Sequence, residues 1–310
     1  MLFFLREMNL NLNLSNIIWS KGPLRDHYAG KQTEQGSSPQ EIANMLKAVT
    51  EDNNIIFIRN GSGTRVQDLA FLADQLYLLP APIRLITSDG DRSMPQTHYY
   101  TNTVNKILSS AMVIKWYTQN YDKSVIHPKL THLPIGFDLH TPQWLVNNNI
   151  HDKIKFMMER RMAAPTDERI ADKILSDTHN SPTHPDRHAL YNVLRENSHV
   201  HFAERRVSFM EITDLYNKYN FVLSPRGNGL DCHRTWELFL AGVIVITKTS
   251  TLDDMYTKNN LPVVILKEWS ELNDNLENKL KKWYAQYSAK TAIDNILPRL
   301  TFDYWLQPTF

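Results

Sequence analysis

The chain has 310 residues, 42% hydrophobic and 22% charged, which is enough apolar material for two ordinary domains and excludes a disordered chain. Lysine plus arginine (34) nearly balance aspartate plus glutamate (33), so no overall field draws the protein to nucleic acid or an anionic membrane, and any bound anion needs a local site. The single cysteine, Cys232, excludes an internal disulfide and a cysteine-based structural metal, and fits a reducing compartment such as the cytoplasm. The opening MLFFLREMNLNLNL is interrupted by Arg6, Glu7 and asparagines and lacks a small-residue cleavage site, so we expect a soluble protein with no membrane anchor.

Ser38-Pro39-Gln40-Glu41 has the serine, proline and glutamate of a helix start, and Ile42, Met45, Leu46 and Val49 follow at the spacing of one buried helical face. Residues 54–59, NIIFIR, form a short β-branched run that reads as a buried parallel strand. A turn with Gly61 and Gly63, a helix over residues 66–77 and a second apolar run at 83–87 complete a β-α-β unit, and residues 113–117 predict a third strand. The Pro/Gly-containing stretch LPIGFDLHTPQW at 133–144 and the polar residues up to Asp167 mark a boundary, placed at 150/151.

Alternation then resumes. Strands are expected at residues 173–176, 200–203, 221–224, 243–247 and 263–266, with helices starting near Arg187, Ser208, His233 and Leu252. Residues 271–287 carry Leu272, Leu276, Leu280 and Trp283 at amphipathic spacing. The expectation is an α/β protein of two Rossmann-like domains facing a central cleft: an acceptor-binding domain over residues 1–150, and a nucleotide-sugar domain over 151–310 whose last helix can pack back on the first.

Chemistry concentrates in residues 223–237, LSPRGNGLDCHRTWE. A strand ending at Ser224 runs into a loop with Gly227 and Gly229 and then a helix start at His233, an architecture that offers backbone N–H groups and a helix dipole to a phosphate. Arg226 and Arg234 bracket the loop with forked donors suited to a diphosphate, and Glu237, one turn into the helix, can accept from vicinal ribose hydroxyls. Such a loop is also an ordinary tight turn, with the arginines paired to Asp231 and Glu237. Two arginines, a histidine and two acids within twelve residues favour a site.

The same segment, continued by LFLAGVIVITKTSTLDDMY, resembles the C-terminal motif of exostosin-like (family 47) glycosyltransferases, in particular small soluble versions from large algal viruses that include a β-xylosyltransferase. WYTQNYD at 116–122, LPIGFD at 133–138 and LPVVILKEWSEL at 261–272 extend the resemblance over residues 83–272; residues 1–37 match no known block. The resemblance implies a GT-B fold, a UDP-sugar donor held by the C-terminal domain, a glycan hydroxyl as acceptor, inversion at the anomeric carbon, no metal requirement and a weak preference for xylose. By position it gives Arg226 the diphosphate and Glu237 the ribose, lines the loop with Asn228, Gly229 and Asp231, and sets Ser250 and Thr251 on the far side of the donor.

Inversion by single displacement needs a base facing the donor. The run at 83–87 delivers Ser88-Asp89-Gly90-Asp91 to the carboxyl edge of the first sheet, so Asp91, further into the loop, is the expected base ahead of Asp89. Asp-Gly-Asp is also the metal-holding pattern of GT-A transferases, or simply a turn, and a catalytically inactive nucleotide- or glycan-binding protein is a further alternative. Arg187, at a helix start after a strand and loop, is either a contact to the donor phosphates or a surface arginine. Trp116, Gln119 and Asn120 are candidate acceptor contacts, core packing accounting for Trp116 equally well, with His98, Tyr99 and Tyr100 as lesser candidates. His179, His184, His188, His199 and His201 lack metal-ligand spacing, and no metal is expected.

Overall fold

A computed structural model describes residues 16–20, 37–60, 66–96, 98–142, 145–177 and 183–306. Gly61, Gly63 and His179 lie outside the described residues.

Among the described residues two parallel sheets carry the chain. The first runs in the order β1 (Ile55–Arg59), β2 (Ile83–Ser88), β3 (Val113–Thr118) and β4 (Leu130–His132). The second contains β5 (Ile170–Ser176), β6 (Val200–Phe202), β7 (Tyr219–Leu223), β8 (Ile244–Lys248) and β9 (Val263–Leu266), in the order β6-β5-β7-β8-β9. Every pairing is parallel. Residues buried along both faces explain the continuous apolar runs: all five positions of β1 and of β7 are buried. The two-sheet α/β architecture expected from the sequence is therefore present.

The order of the second sheet reverses at β5, whose neighbours β6 and β7 both follow it in the chain. That reversal leaves a crevice outside the carboxyl ends of β5 and β7, the place where open α/β sheets receive ligands.

Helices connect the strands. Those of the first half are α1 (Pro39–Lys47), α2 (Val66–Asp74) and α3 (Thr101–Ser109). α4 (Ile150–Ala163), α5 (Pro185–Leu194), α6 (Phe209–Tyr216), α7 (His233–Leu240) and α8 (Asp253–Lys258) follow, then α9 (Leu276–Tyr287), α10 (Ile293–Arg299) and α11 (Phe302–Leu306). The capping box read at Ser38 is formed, and Ser208 with Glu211 makes a second at α6. Several elements depart from the sequence expectation. α2 stops at Asp74 and a separate 3-10 turn covers Leu76–Leu78, while α9 begins at Leu276 behind another at Trp269–Asn273. α3, β4 and α4 lie in stretches where no element is expected from the residue pattern.

One hydrophobic cluster joins the two halves: Ile135, Phe137 and Leu139 pack with Ile154 and Met157 of α4 and with Trp236 and Phe239 of α7. Phe302 and Leu306 of the closing helix pack with Phe57, Ile86 and Tyr117 against the first sheet. Polar links cross as well. Asn120 Oδ1 accepts the Asp231 amide at 2.9 Å, Asp231 Oδ2 accepts the Ile135 amide at 2.8 Å, and Thr251 Oγ1 donates to the Tyr121 carbonyl at 2.8 Å.

Gly136 of the LPIGFD block has a structural reason. Its φ is +67°, and a Cβ there would lie 2.0 Å from the Ile18 carbonyl oxygen, which itself accepts the Phe137 amide at 3.0 Å. Gly136→Ala is therefore expected to lower stability by about 1–3 kcal/mol or more, read as a lower denaturant midpoint.

Candidate functional site

A cleft of about 290 Å³ opens at the crevice between the two halves. Asp91, Ile135 and Asp138 line its first-sheet side; Asp177, Arg187, Arg234, Glu237 and the Gly227–Gly229 loop are among those lining the other. Asp177 follows the carboxyl end of β5, and the loop follows that of β7, so the strand order itself puts a carboxylate, two guanidiniums and a helix start around one space.

α7 begins at the cleft with Cys232 as its N-cap and no side-chain cap. An uncapped helix start leaves orphan amides and positive dipole facing whatever fills the cleft. The loop's own amides are more committed. Gly227 N–H donates to Cys232 Sγ, Asp231 N–H to Asn120, and Cys232 N–H to Asp231 Oδ1, each at 2.9 Å. Gly229 is required by closeness: a Cβ would stand 2.9 Å from Asn120 Nδ2.

The two cleft arginines are anchored differently. Arg234 Nε lies 3.2 Å from Asp177 Oδ1 and 3.3 Å from Tyr216 OH, and the same hydroxyl donates to Asp177 Oδ2 at 3.0 Å. Burial opposes the charged guanidinium, but Asp177 and Tyr216 more than offset it and raise its pKa. Arg187, 6% exposed, donates its Nε to the Arg226 carbonyl at 3.0 Å; burial first and Arg234 second lower its pKa. Two guanidiniums lining one cleft suit a polyanion there.

Several expected residues are placed elsewhere. Arg226 is not among the residues lining this cleft: its Nη2 donates to the Asn228 carbonyl at 3.2 Å, and its Nε is buried with no hydrogen-bond partner among the described residues. Asp231, although at the cleft edge, is 3% exposed and spends both oxygens on Ile135, Cys232 and Trp236; burial pushes its pKa up to about 6. Ser224 is buried against Thr235 Oγ1 at 2.9 Å. Ser250 turns its hydroxyl to the Leu252 amide, and Thr251 bonds Tyr121, so neither lines the cleft.

The acceptor candidates are also internal. Trp116 is fully buried and donates Nε1 to Thr87 Oγ1 at 2.9 Å, so it offers no ring face to a sugar. Gln119, equally buried, accepts from Ser88 Oγ and the Asp89 amide and donates to the Gly90 carbonyl, each at 2.9 Å; Asn120 Nδ2 reaches the same carbonyl. These amides hold the aspartate loop rather than a ligand. Among the lesser candidates, His98 and Tyr99 are buried and bond Asn60, while Tyr100 is 65% exposed.

The two aspartates of that loop separate cleanly. Asp89, at φ +66°, forms an ion pair with Arg59, both side chains being at most 10% exposed. Asp91 is exposed and lines the cleft.

No family model and no curated protein matches the sequence. Among solved structures, the chain is similar to an alpha,alpha-trehalose 6-phosphate synthase from Burkholderia multivorans, at 11% identity over 84% of this chain and 70% of that one, with a TM-score of 0.42. It is similar also to WaaG, a glycosyltransferase involved in lipopolysaccharide biosynthesis (12% identity, 84% and 92% covered, TM-score 0.36). A third is the pneumococcal O-GlcNAc transferase GtfA in complex with UDP and GlcNAc (10% identity, 87% and 56% covered, TM-score 0.32). Overlaps of this size fix no residue correspondence. No helix among the described residues is long and apolar enough to cross a membrane.

Three residues to which the sequence assigned no role support or line the cleft: Lys153 from behind, and Asp177 and Tyr216 at its wall. Lys153 of α4 is fully buried and donates to Glu237 Oε1 at 2.6 Å and to the Asp138 carbonyl at 2.7 Å. This fixes the Glu237 carboxylate, 12% exposed, at the cleft wall. Asp177 and Tyr216 had a partial signal in the sequence, an acid directly after a strand and an aromatic at a helix end, but only the strand order shows that they meet. A buried lysine on a mixed helix gives none.

Proposed function

We propose that the chain is an inverting glycosyltransferase that moves a sugar from a UDP-sugar to a hydroxyl of a glycan acceptor. The observation that carries this reading is the pairing across one cleft of an anion-receiving side, made of Arg187, Arg234 and the uncapped start of α7, with an exposed carboxylate, Asp91, on the opposite sheet. The exostosin-like sequence blocks support the donor class and the inverting course.

In this reading the diphosphate sits against the α7 amides and the two guanidiniums, which stabilise the negative charge that develops on the departing UDP. Glu237, held by Lys153, accepts from the ribose hydroxyls. Asp91 takes the proton from the acceptor hydroxyl as the new glycosidic bond forms and the bond to the diphosphate breaks on the other face of the sugar. The Arg59 partner of Asp89 withdraws that carboxylate from the role of base and from the metal role of a paired Asp-Gly-Asp. Xylose as the sugar and the cytoplasm as the compartment rest on the sequence alone.

Calorimetric titration with UDP tests the donor side. Arg187→Ala is expected to weaken UDP binding by roughly tenfold or more, the cost of removing one charge-assisted contact, whereas Arg226→Ala changes it less. Equal losses in both variants, or no UDP uptake by the unaltered chain, would remove the proposed phosphate site.

A further inference from the structure

Beside the proposed donor site, and unused by it, three metal-type side chains converge. Asp138, His140 and His233 each place one donor atom within 4.8 Å of the others. The rings of His140 and His233 are 5.4 Å apart, and His140 Nδ1 lies 3.3 Å from Asp138 Oδ1. Asp138 and His233 line the cleft; the His140 side chain, 30% exposed, closes the group from the outside.

The surroundings are arranged as the outer shell of a metal site is. His233 Nδ1 lies 2.8 Å from the Gly136 carbonyl. A carbonyl can only accept, so Nδ1 carries the hydrogen, and in the neutral ring Nε2 keeps the lone pair that a metal takes. Gly136 is itself fixed against Ile18 by its close packing. The Asp138 carboxylate is held through Oδ1, which accepts the backbone amides of His140 at 3.3 Å and Thr141 at 3.1 Å, while its own carbonyl is tied to Lys153. Two of the three donors are thus set by rigid neighbours before any ion arrives.

We propose that Asp138, His140 and His233 form a site for one divalent transition-metal ion of the zinc class, with an open coordination position toward the cleft. Bond lengths of about 2.0–2.2 Å put tetrahedral ligand atoms roughly 3.4 Å apart, so the group closes by an inward movement of about 1 Å, available at the outermost ligand, His140. Two imidazoles and one carboxylate suit zinc, cobalt or manganese; magnesium and calcium favour all-oxygen sets. The ligands also bridge the two halves, because Asp138 and His140 precede α4 whereas His233 opens α7. His140 and His233 stand 93 positions apart, which hides the group from any short-spacing motif and is why no metal is expected from the sequence.

The site is independent of the proposed transfer and is tested without it. The untagged full chain is stripped with a chelator and titrated with Zn²⁺ by calorimetry, then with Co²⁺ by visible absorption. One ion per chain, a rise in melting temperature with zinc and a cobalt ligand-field band are expected. His140→Ala and His233→Ala should each weaken zinc binding about tenfold or more, while His188→Ala, which alters an exposed histidine of α5, leaves it unchanged. His140, at the rim, can be removed with little consequence for folding, so that variant keeps the test decisive if His233→Ala is unstable. Absence of saturable uptake at one equivalent, or uptake unchanged in His140→Ala, overturns the proposal.

Discussion

Asp91→Asn is expected to lower sugar transfer by about 10²–10⁴-fold while leaving UDP affinity within about twofold of the unaltered chain. The asymmetry follows from position. Asp91 stands on the first-sheet side of the cleft, whereas the guanidiniums and the helix start proposed for the diphosphate belong to the second sheet. An asparagine keeps the shape and loses the basic oxygen, so binding survives and proton transfer does not. Asp89→Asn is the informative companion: it breaks a nearly buried ion pair with Arg59, so its first effect is on stability and on the loop. Transfer and UDP release are followed with a UDP-sugar and a glycan acceptor. Near-normal turnover of Asp91→Asn would end its assignment as the base.

How much of this was legible in the sequence differs between fold and site. Parallel strands buried on both faces write themselves as apolar runs, which is why β1, β2, β7 and β9 are readable from the order of residues alone. α4 is not. Ile154, Met157 and Met158 sit on its buried face, but so does Lys153, and a lysine on the inward stripe makes an amphipathic pattern look polar. The glycine loop and helix start were readable because turn chemistry and helix-start chemistry are local. Which side chains face the cleft is not local. Arg226 and Arg234 are eight positions apart in one motif, and the backbone turns one toward the Asn228 carbonyl and the other toward Asp177.

The polar residues Gln119 and Asn120 mislead for a related reason. At the carboxyl end of a strand an amide has the right chemistry for a sugar hydroxyl, and the same chemistry closes a neighbouring loop. Here the loop that carries Asp89 and Gly90 lies within reach, and both amides are used to hold it. They therefore bear on the proposed base only through the loop that carries it.

Lys153→Met carries the largest expected cost to stability, about 3–5 kcal/mol, seen as a lowered denaturant midpoint with little change in slope. The lysine side chain is 0% exposed, its Nζ lies 4.4 Å from the Phe209 ring centroid, and its ammonium bonds Glu237 and the Asp138 carbonyl. Methionine fills nearly the same volume, so the loss is electrostatic rather than a cavity: it leaves a nearly buried carboxylate and a carbonyl without their donor. Glu237→Gln in the same chain should recover part of the loss, because it neutralises the carboxylate that the lysine no longer balances. If the ion pair were only surface decoration, both single variants and the double would lie within about 1 kcal/mol of the unaltered chain. A strong coupling instead makes Lys153 the post on which the proposed ribose contact stands, and UDP affinity should then fall with Glu237 in both single variants.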